Sequence, residues 1–151
     1  MIFLILTSII FTLITVFVPK RLSPIELYAS AFSALVLQEV VDIYLEIKLR
    51  WYYYLREDDI EWSCLFIIPI YIGVNVLSLN FFPFHKSKFK QGLYIAICVF
   101  ISIIYEYFAL KFKMLQYNEW KLWYSTICYF LLFPLLSLNL KWIRLLVNKS
   151  I

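Results

Sequence analysis

Five long runs of predominantly apolar residues, separated by short polar connections, constrain this chain more than any other feature of its sequence. The runs cover about 1–18, 25–47, 62–82, 93–112 and 122–140. A helix needs roughly 20 such residues to cross about 30 Å of hydrocarbon. Hydrophobic residues make up 64% of the 151 residues and charged residues 16%, whereas soluble domains are roughly half apolar and about a quarter charged. The sequence therefore predicts an all-α fold, an integral membrane bundle of five transmembrane helices.

Local signals support these boundaries. Ser23-Pro24-Ile25-Glu26 has the pattern of a capping box, in which Ser caps a helix, Pro occupies the first turn and Glu reaches back to the cap. Pro69 and Pro134 lie inside the third and fifth runs, where membrane helices tolerate proline, so we expect kinks rather than breaks. No alternation with a period of two residues predicts a strand. The whole chain, 1–151, is expected to form one transmembrane domain, with a short basic cytoplasmic tail over 141–151.

The distribution of Lys and Arg predicts the orientation, because positive loops are retained on the cytoplasmic side. The first run has no basic residue before it and ends at Pro19-Lys20-Arg21, with no small-residue cleavage site, so we expect a retained first span. On one side of the predicted bundle lie eight basic residues: Lys20, Arg21, Lys86, Lys88, Lys90, Lys141, Arg144 and Lys149. On the other side lie six: Lys48, Arg50, Arg56, Lys111, Lys113 and Lys121. We predict a multi-pass protein of the cell membrane, with its N-terminus outside and its C-terminus in the cytoplasm.

Aromatic residues cluster at the predicted outer ends of the helices. Tyr and Trp favour the headgroup level, since their rings are apolar and their polar tips are hydrated. The sequence therefore predicts an interfacial belt formed by Trp51, Tyr52, Tyr53, Tyr54 and Trp62 in one hairpin and by Tyr117, Trp120, Trp123 and Tyr124 in the other.

Acidic residues inside apolar runs are costly and mark the candidate site. Glu39, Asp42 and Glu46 follow one another at helical spacing and share one stripe, on which we expect Glu46 to emerge at the outer surface. At about 1.5 Å per residue, Glu39 lies roughly 18 Å and Glu106 roughly 20 Å along parallel helices. The predicted site is one buried polar cluster in the outer half of the bundle, formed by Gln38, Glu39, Asp42, Tyr105 and Glu106. Two interpretations stay open: a proton- or cation-linked site, and hydrogen bonds that fix helix packing.

No catalytic, metal or cofactor motif accompanies these residues. The one histidine, His85, has no Cys, Asp or Glu near it in sequence to complete a metal site. Each of Cys64, Cys98 and Cys128 stands alone in a separate apolar run, where cysteine behaves as a small hydrophobe. We therefore predict that the protein is not an enzyme, carries no cofactor and binds no nucleic acid.

The ends of the second and fourth runs are weakly similar in sequence. Residues 44–50, YLEIKLR, resemble residues 107–113, YFALKFK, and each segment precedes an aromatic connection and a proline-containing run. Two related hairpins explain this match. Convergence on Lys and aromatic residues at an interface explains it equally well.

The chain resembles a family of uncharacterised small five-span integral membrane proteins of endospore-forming bacteria. The resemblance covers nearly the whole chain and rests on residues 19–22 leading to 26–28, Asp42 with Tyr44, 79–83, 105–106 and 120–125. Glu39 and the tyrosine run that begins at Tyr52 have no counterpart in the family pattern. The resemblance implies five spans in a bacterial plasma or spore membrane and carries no activity with it.

The function predicted from these observations is a non-enzymatic, multi-pass membrane protein with a structural or accessory role. The alternative is a small proton- or cation-linked transporter component that uses the buried carboxylates. The expected partners are the lipid bilayer and either a second copy of the chain or another membrane protein. Ser30 and Ala34, four residues apart on one helix, are a predicted docking surface.

Overall fold

The computed structural model describes residues 1–55 and 60–150, including all their side chains except those of 60–64 and 150. These residues form five helices and one pair of strands: α1 (Ile2–Phe17), α2 (Pro24–Asp42), a π-helical segment (Ile43–Lys48), β1 (Tyr52–Tyr54), α3 (Ile60–Asn80), α4 (Lys88–Lys111), β2 (Leu115–Tyr117) and α5 (Leu122–Ser150). The prediction of an all-α fold with five helices is confirmed. Arg56 and the side chains of Trp62 and Cys64 lie outside the described residues.

Local sequence signals determine several helix ends. The predicted capping box is present, since the Ser23 hydroxyl accepts a hydrogen bond from the Glu26 N–H and the Glu26 carboxylate accepts one from the Ser23 N–H. Helices α3 and α5 continue through Pro69 and Pro134, as expected. Residues 141–150 of the predicted basic tail are not a separate segment, because α5 runs on to Ser150 and these residues are helical.

The helices close into a bundle. Helix α2 packs on α3 and α5, α4 packs on α5, and α1 packs on α3. The ring of Phe3 in α1 stacks on Tyr105 and Phe112, which connects α1 to α4 and its C-terminal cap. Ser30 is fully buried and accepts a hydrogen bond from Asn75 of α3, while Ala34 packs against a buried leucine cluster. These two residues are therefore occupied inside the bundle and do not form the predicted docking surface.

The two connections at one end of the bundle pair with each other as strands. Tyr52 lies opposite Tyr117, Tyr53 opposite Gln116, and Tyr54 opposite Leu115 in an antiparallel ladder. We call this end, with residues 43–55 and 112–121, the sheet end. The opposite end, with residues 18–23, 81–87 and the last turns of α5, is called the basic end. The sequence predicts no strand here, so this pairing differs from the expectation.

The second hairpin repeats the first. Strand β2 begins and ends 63 residues after β1, and Arg50 and Lys113, which have the same spacing, are both in the left-handed region with φ of 52° and 54°. The ladder is centred on Tyr53 and Gln116, again 63 residues apart. The order helix, left-handed residue, strand, helix therefore occurs twice, which favours the interpretation of two related hairpins.

Among the described residues, two helices are long and apolar enough to cross a membrane by length and composition: α4, and α5 over Leu122–Lys149. Only 17% of the most apolar window of α4 and 28% of that of α5 are buried, although the core helix of a soluble protein would be mostly buried. Helix α1 and the described part of α3, Leu65–Asn80, are apolar but shorter. The finer prediction, that all five helices cross a membrane, stays a prediction.

Replacing Gly73 by alanine should separate α1 from α3. A Cβ atom at Gly73 would lie 2.8 Å from Phe11 Cδ1 and 3.1 Å from Thr15 Oγ1, so the two helices would have to move apart. Overpacking of this kind costs about 1–3 kcal/mol, and thermal unfolding in detergent should show a lower Tm. Gly92→Ala is the control, because nothing lies within 4 Å of its Cβ and a helical Gly→Ala change stabilises by about 0.5–1 kcal/mol. Equal Tm values for both variants would contradict the α1–α3 packing.

Candidate functional site

The sheet end encloses a first polar cluster around Asp42. Asp42 Oδ1 accepts hydrogen bonds from Gln38 Nε2 at 2.8 Å and from the Tyr52 hydroxyl at 2.5 Å. Gln38 Nε2 also donates to the Tyr71 hydroxyl, which lies 2.6 Å from the Tyr54 hydroxyl. These five residues, the Asp42 cluster, come from α2, β1 and α3. They connect the end of one helix to the following strand and to the next helix.

Alternation along β1 brings its tyrosines into this cluster. Tyr52 and Tyr54 are buried and point inward, whereas Tyr53 lies on the other face and donates to the Gln116 side chain. Burial, assisted by the neighbouring Asp42 carboxyl, raises the pKa of the Tyr52 phenol well above its ordinary value. The phenol therefore stays protonated and remains a hydrogen-bond donor.

The π-helical segment turns Glu46 inward. Its wider turn is seen in the hydrogen bond from the Leu49 N–H to the Tyr44 carbonyl, five residues back. Glu46 is only 8% exposed, and its Oε1 accepts a hydrogen bond from the Tyr54 N–H at 3.1 Å. The side chain therefore holds β1 against the helix that precedes it. The predicted depth of Glu46, at the outer surface of the membrane, stays a prediction.

A second polar cluster surrounds Glu106 in α4. Glu106 Oε1 accepts hydrogen bonds from the Tyr117 hydroxyl at 2.5 Å and from Ser125 Oγ at 2.6 Å. Ser125 Oγ in turn accepts a hydrogen bond from Trp120 Nε1 at 2.7 Å. Burial raises the pKa of the Tyr117 phenol, so that it too stays protonated and donates. These four residues, the Glu106 cluster, join α4, β2, the connection after it and α5.

One oxygen of the Glu106 carboxyl has no hydrogen bond. Glu106 is 5% exposed, and its Oε2 atom has no hydrogen-bond partner among the described residues. The Tyr129 hydroxyl is a further donor close to this carboxyl, with which it interacts both electrostatically and as a long hydrogen-bond contact, and on its other side it interacts electrostatically with Tyr52 and Tyr71. Tyr129 therefore lies between the two clusters.

The structure divides the predicted site into these two clusters. Gln38 and Asp42 lie together as predicted, and Glu106 lies in the other cluster. Tyr105, although next to Glu106 in sequence, points toward α1 and donates to Thr7 Oγ1 at 3.2 Å. Glu39 is exposed and makes none of these hydrogen bonds, because it lies on the outer side of α2.

Among the described residues, the two clusters contain hydrogen-bond donors but no compensating cation. In the part of the chain that the structure describes, the one ion pair joins Arg144 and Glu26 at the basic end, at 2.6 Å. No three His, Cys, Asp or Glu side chains among the described residues are placed to hold a metal ion. Cys98 and Cys128 are free thiols. The two clusters can hold the helices and strands of the sheet end together.

The sequence predicts several members of the clusters as belt residues instead of site residues. Tyr52, Tyr54, Tyr117 and Trp120 were expected to anchor at an interface, yet their polar atoms point into the protein. The 63-residue spacing between the two segments pairs Tyr54 with Tyr117; no signal in the sequence identifies Tyr52 or Trp120.

Replacing Tyr117 by phenylalanine should destabilise the bundle. The change removes one donor from Glu106 and preserves the ring, so we expect a loss of about 1 kcal/mol and a Tm lower by about 2–4 °C. Tyr107→Phe on α4 is the matched control, because its side chain is 55% exposed and its hydroxyl makes none of the hydrogen bonds described here. Thermal unfolding in detergent measures both variants. A Tm for Tyr117→Phe equal to that of the control would exclude the Glu106 cluster as a stabilising element.

Comparison with known proteins provides no assignment. No family model, no curated protein and no solved structure matches the chain. The resemblance to small five-span membrane proteins of endospore-forming bacteria therefore stays a prediction from the sequence.

Proposed function

We propose that this chain is a non-enzymatic integral membrane protein with five spanning helices and a structural or accessory role in a bacterial cell membrane. The observation that carries the proposal is the exposed apolar surface of the bundle. Phe17, Phe100, Ile101 and Leu131 are each at least 60% exposed, and α4 buries little of its apolar length. A contiguous apolar exterior is stable in lipid and costly in water.

Helix lengths are compatible with five spans. Helix α3 has 21 residues and extends about 32 Å, and α2 with its π-helical continuation is of similar length. Helix α1 has 16 residues, or about 24 Å. A shorter helix is accommodated by local thinning of the bilayer and by flanking residues that reach the interface. Lys20, whose amino group donates to carbonyls in the last turn of α1, is such a residue.

The two polar clusters support a structural role. Their hydrogen bonds cross from helix to strand and from helix to helix, as expected of groups that fix packing where lipid offers no hydrogen bonds. The proposed environment is the lipid bilayer, with a second copy or another membrane protein as the proposed partner. The eight-to-six distribution of basic residues favours the basic end on the cytoplasmic side.

A second candidate function is supported by one specific observation, the unpartnered Oε2 atom of Glu106. A buried carboxyl oxygen without a partner is available to bind a proton or a small cation. The alternative function is therefore a proton- or cation-linked transporter component. Transport requires a path for the proton or cation, which the Glu106 cluster does not itself supply. This function therefore ranks below the structural role.

Cysteine accessibility should distinguish five spans from two. In a chain without its native cysteines, Lys48→Cys and Lys86→Cys should react with an impermeant maleimide from opposite sides of the membrane, as should Asn118→Cys and Lys149→Cys. If α4 and α5 alone crossed, positions 48 and 86 would react from the same side, while 118 and 149 would still differ. That result would reduce the proposal to two spans.

Substitutions of Glu106 should separate the two candidate functions. Glu106→Gln keeps the hydrogen-bonded shape, so a structural role predicts a Tm near that of the wild type. Glu106→Leu leaves buried donors unpaired and should cost about 1–3 kcal/mol. Glu119→Gln, an exposed change at the same end, is the control. Proton uptake into liposomes, followed with a pH-sensitive dye, tests the alternative. Uptake that is present in the wild type and the control but absent in Glu106→Gln would favour transport over the structural role.

A further inference from the structure

An open apolar cleft lies between α2 and α5 at the sheet end. Its volume is about 470 Å³, and it is lined by residues that include Val41, Tyr44, Trp51, Trp120, Ile127 and Cys128. No polar atom is exposed in its wall. Pockets that hold small ligands commonly have volumes of about 300–1,000 Å³. The cleft is therefore large enough for part of an apolar ligand, and it opens sideways toward the surface that we place in lipid.

The equivalent position in the other half of the bundle is filled. At the sheet end, α1 lies between α3 and α4, where the rings of Phe3 and Phe11 contact Tyr105. Because the hairpins repeat with a spacing of 63 residues, α4 corresponds to α2 and α5 corresponds to α3. The space between α3 and α4 is therefore the equivalent of the cleft between α2 and α5, and Tyr107 corresponds to Tyr44. One half thus has an apolar helix at this position, and the other half has a cleft.

Three cations lie next to cleft residues in the part of the chain that the structure describes. Lys48 lies 5.1 Å from the centre of the Tyr44 ring, Arg50 precedes Trp51, and Lys121 follows Trp120. All three cations are exposed, and none has a carboxylate partner among the described residues. Among the described residues, the exposed carboxylates nearby are Glu119, beside Trp120, and Glu39, which lies further from the sheet end along the outer side of α2. Of the described side chains, an anionic group at the rim of the cleft would therefore meet three cations and one carboxylate.

We propose that the cleft binds one anionic phospholipid, with an acyl chain between α2 and α5 and its phosphate near Lys48, Arg50 and Lys121. The proposal rests on the membrane integration proposed above. A flexible chain suits the cleft better than a sixth helix does. Helix α1 approaches α3 closely at Gly73, whereas neither α2 nor α5 contains a glycine. Trp51 and Trp120 lie where aromatic rings meet the headgroup level.

Native mass spectrometry of the full chain in detergent tests this site. The wild type should retain one molecule of phosphatidylglycerol and bind it at least fivefold more tightly than phosphatidylcholine. Attraction to a basic residue near the headgroups contributes about fivefold per lysine, so Lys48→Gln/Lys121→Gln should abolish the preference. Lys111→Gln/Lys113→Gln is the matched control, since these exposed lysines lie at the same end but, unlike Lys48 and Lys121, neither contacts nor adjoins in sequence a residue that lines the cleft. The control should keep the preference.

Blocking the cleft gives a second, independent test. Cys128→Phe should reduce retention of both lipids at least fivefold, whereas Leu131→Phe, at a 68% exposed position on α5, should leave it unchanged. Equal retention of the two lipids by the wild type, or a preference that survives in Lys48→Gln/Lys121→Gln, overturns the proposal. A stable dimer that binds lipid only after dissociation would assign the cleft to a second copy and also overturn it. Extraction of the protein from native membranes by alkaline carbonate is a separate result, because it contradicts membrane integration itself.

Discussion

The backbone groups of two non-helical connections at the sheet end must find hydrogen-bond partners outside a regular helix, and much of the bundle depends on how this is done. The connections satisfy each other. Besides the β1–β2 ladder, the Trp51 carbonyl accepts hydrogen bonds from the N–H groups of Asn118, Glu119 and Trp120, and the Leu55 N–H donates to the Met114 carbonyl. A ladder of three residues is marginal alone, but here each strand is anchored by the helices on either side. The pairing therefore joins the two hairpins.

This pairing also determines where the carboxyls find donors. Tyr52 and Tyr54 on β1 reach the Asp42 cluster, and Tyr117 on β2 reaches Glu106. Ion pairs in low dielectric pay a large desolvation penalty, whereas phenols and amides supply hydrogen bonds without adding charge. Neutral donors thus specify the packing of the sheet end, and the ion pair of Arg144 and Glu26 is left at the basic end, where Arg144 is about one-third exposed.

Local patterns in the sequence predict most of the fold and only part of the site. Apolar runs, the capping box at Ser23 and two internal prolines identify five helices, because each signal acts within a few residues. The strands were missed because three residues are too few to show a periodicity. The site was predicted as one cluster because helical spacing places Glu39 and Asp42 on one stripe. Whether Glu39 or Asp42 is buried depends on the elements that pack against α2. A π-helical segment, which no sequence pattern predicts, turns Glu46 inward.

The repeat of two hairpins explains why the bundle is asymmetric. Two hairpins contribute four helices, with α2 on α3 and α4 on α5, and direct contact between α2 and α5 closes one side. On the other side, α1 enters between α3 and α4 and reaches its closest approach at Gly73. The one helix outside the two hairpins, α1, can fill only one of two equivalent positions. One position is therefore packed with protein, while its counterpart between α2 and α5 keeps an apolar wall that only lipid or another molecule can cover.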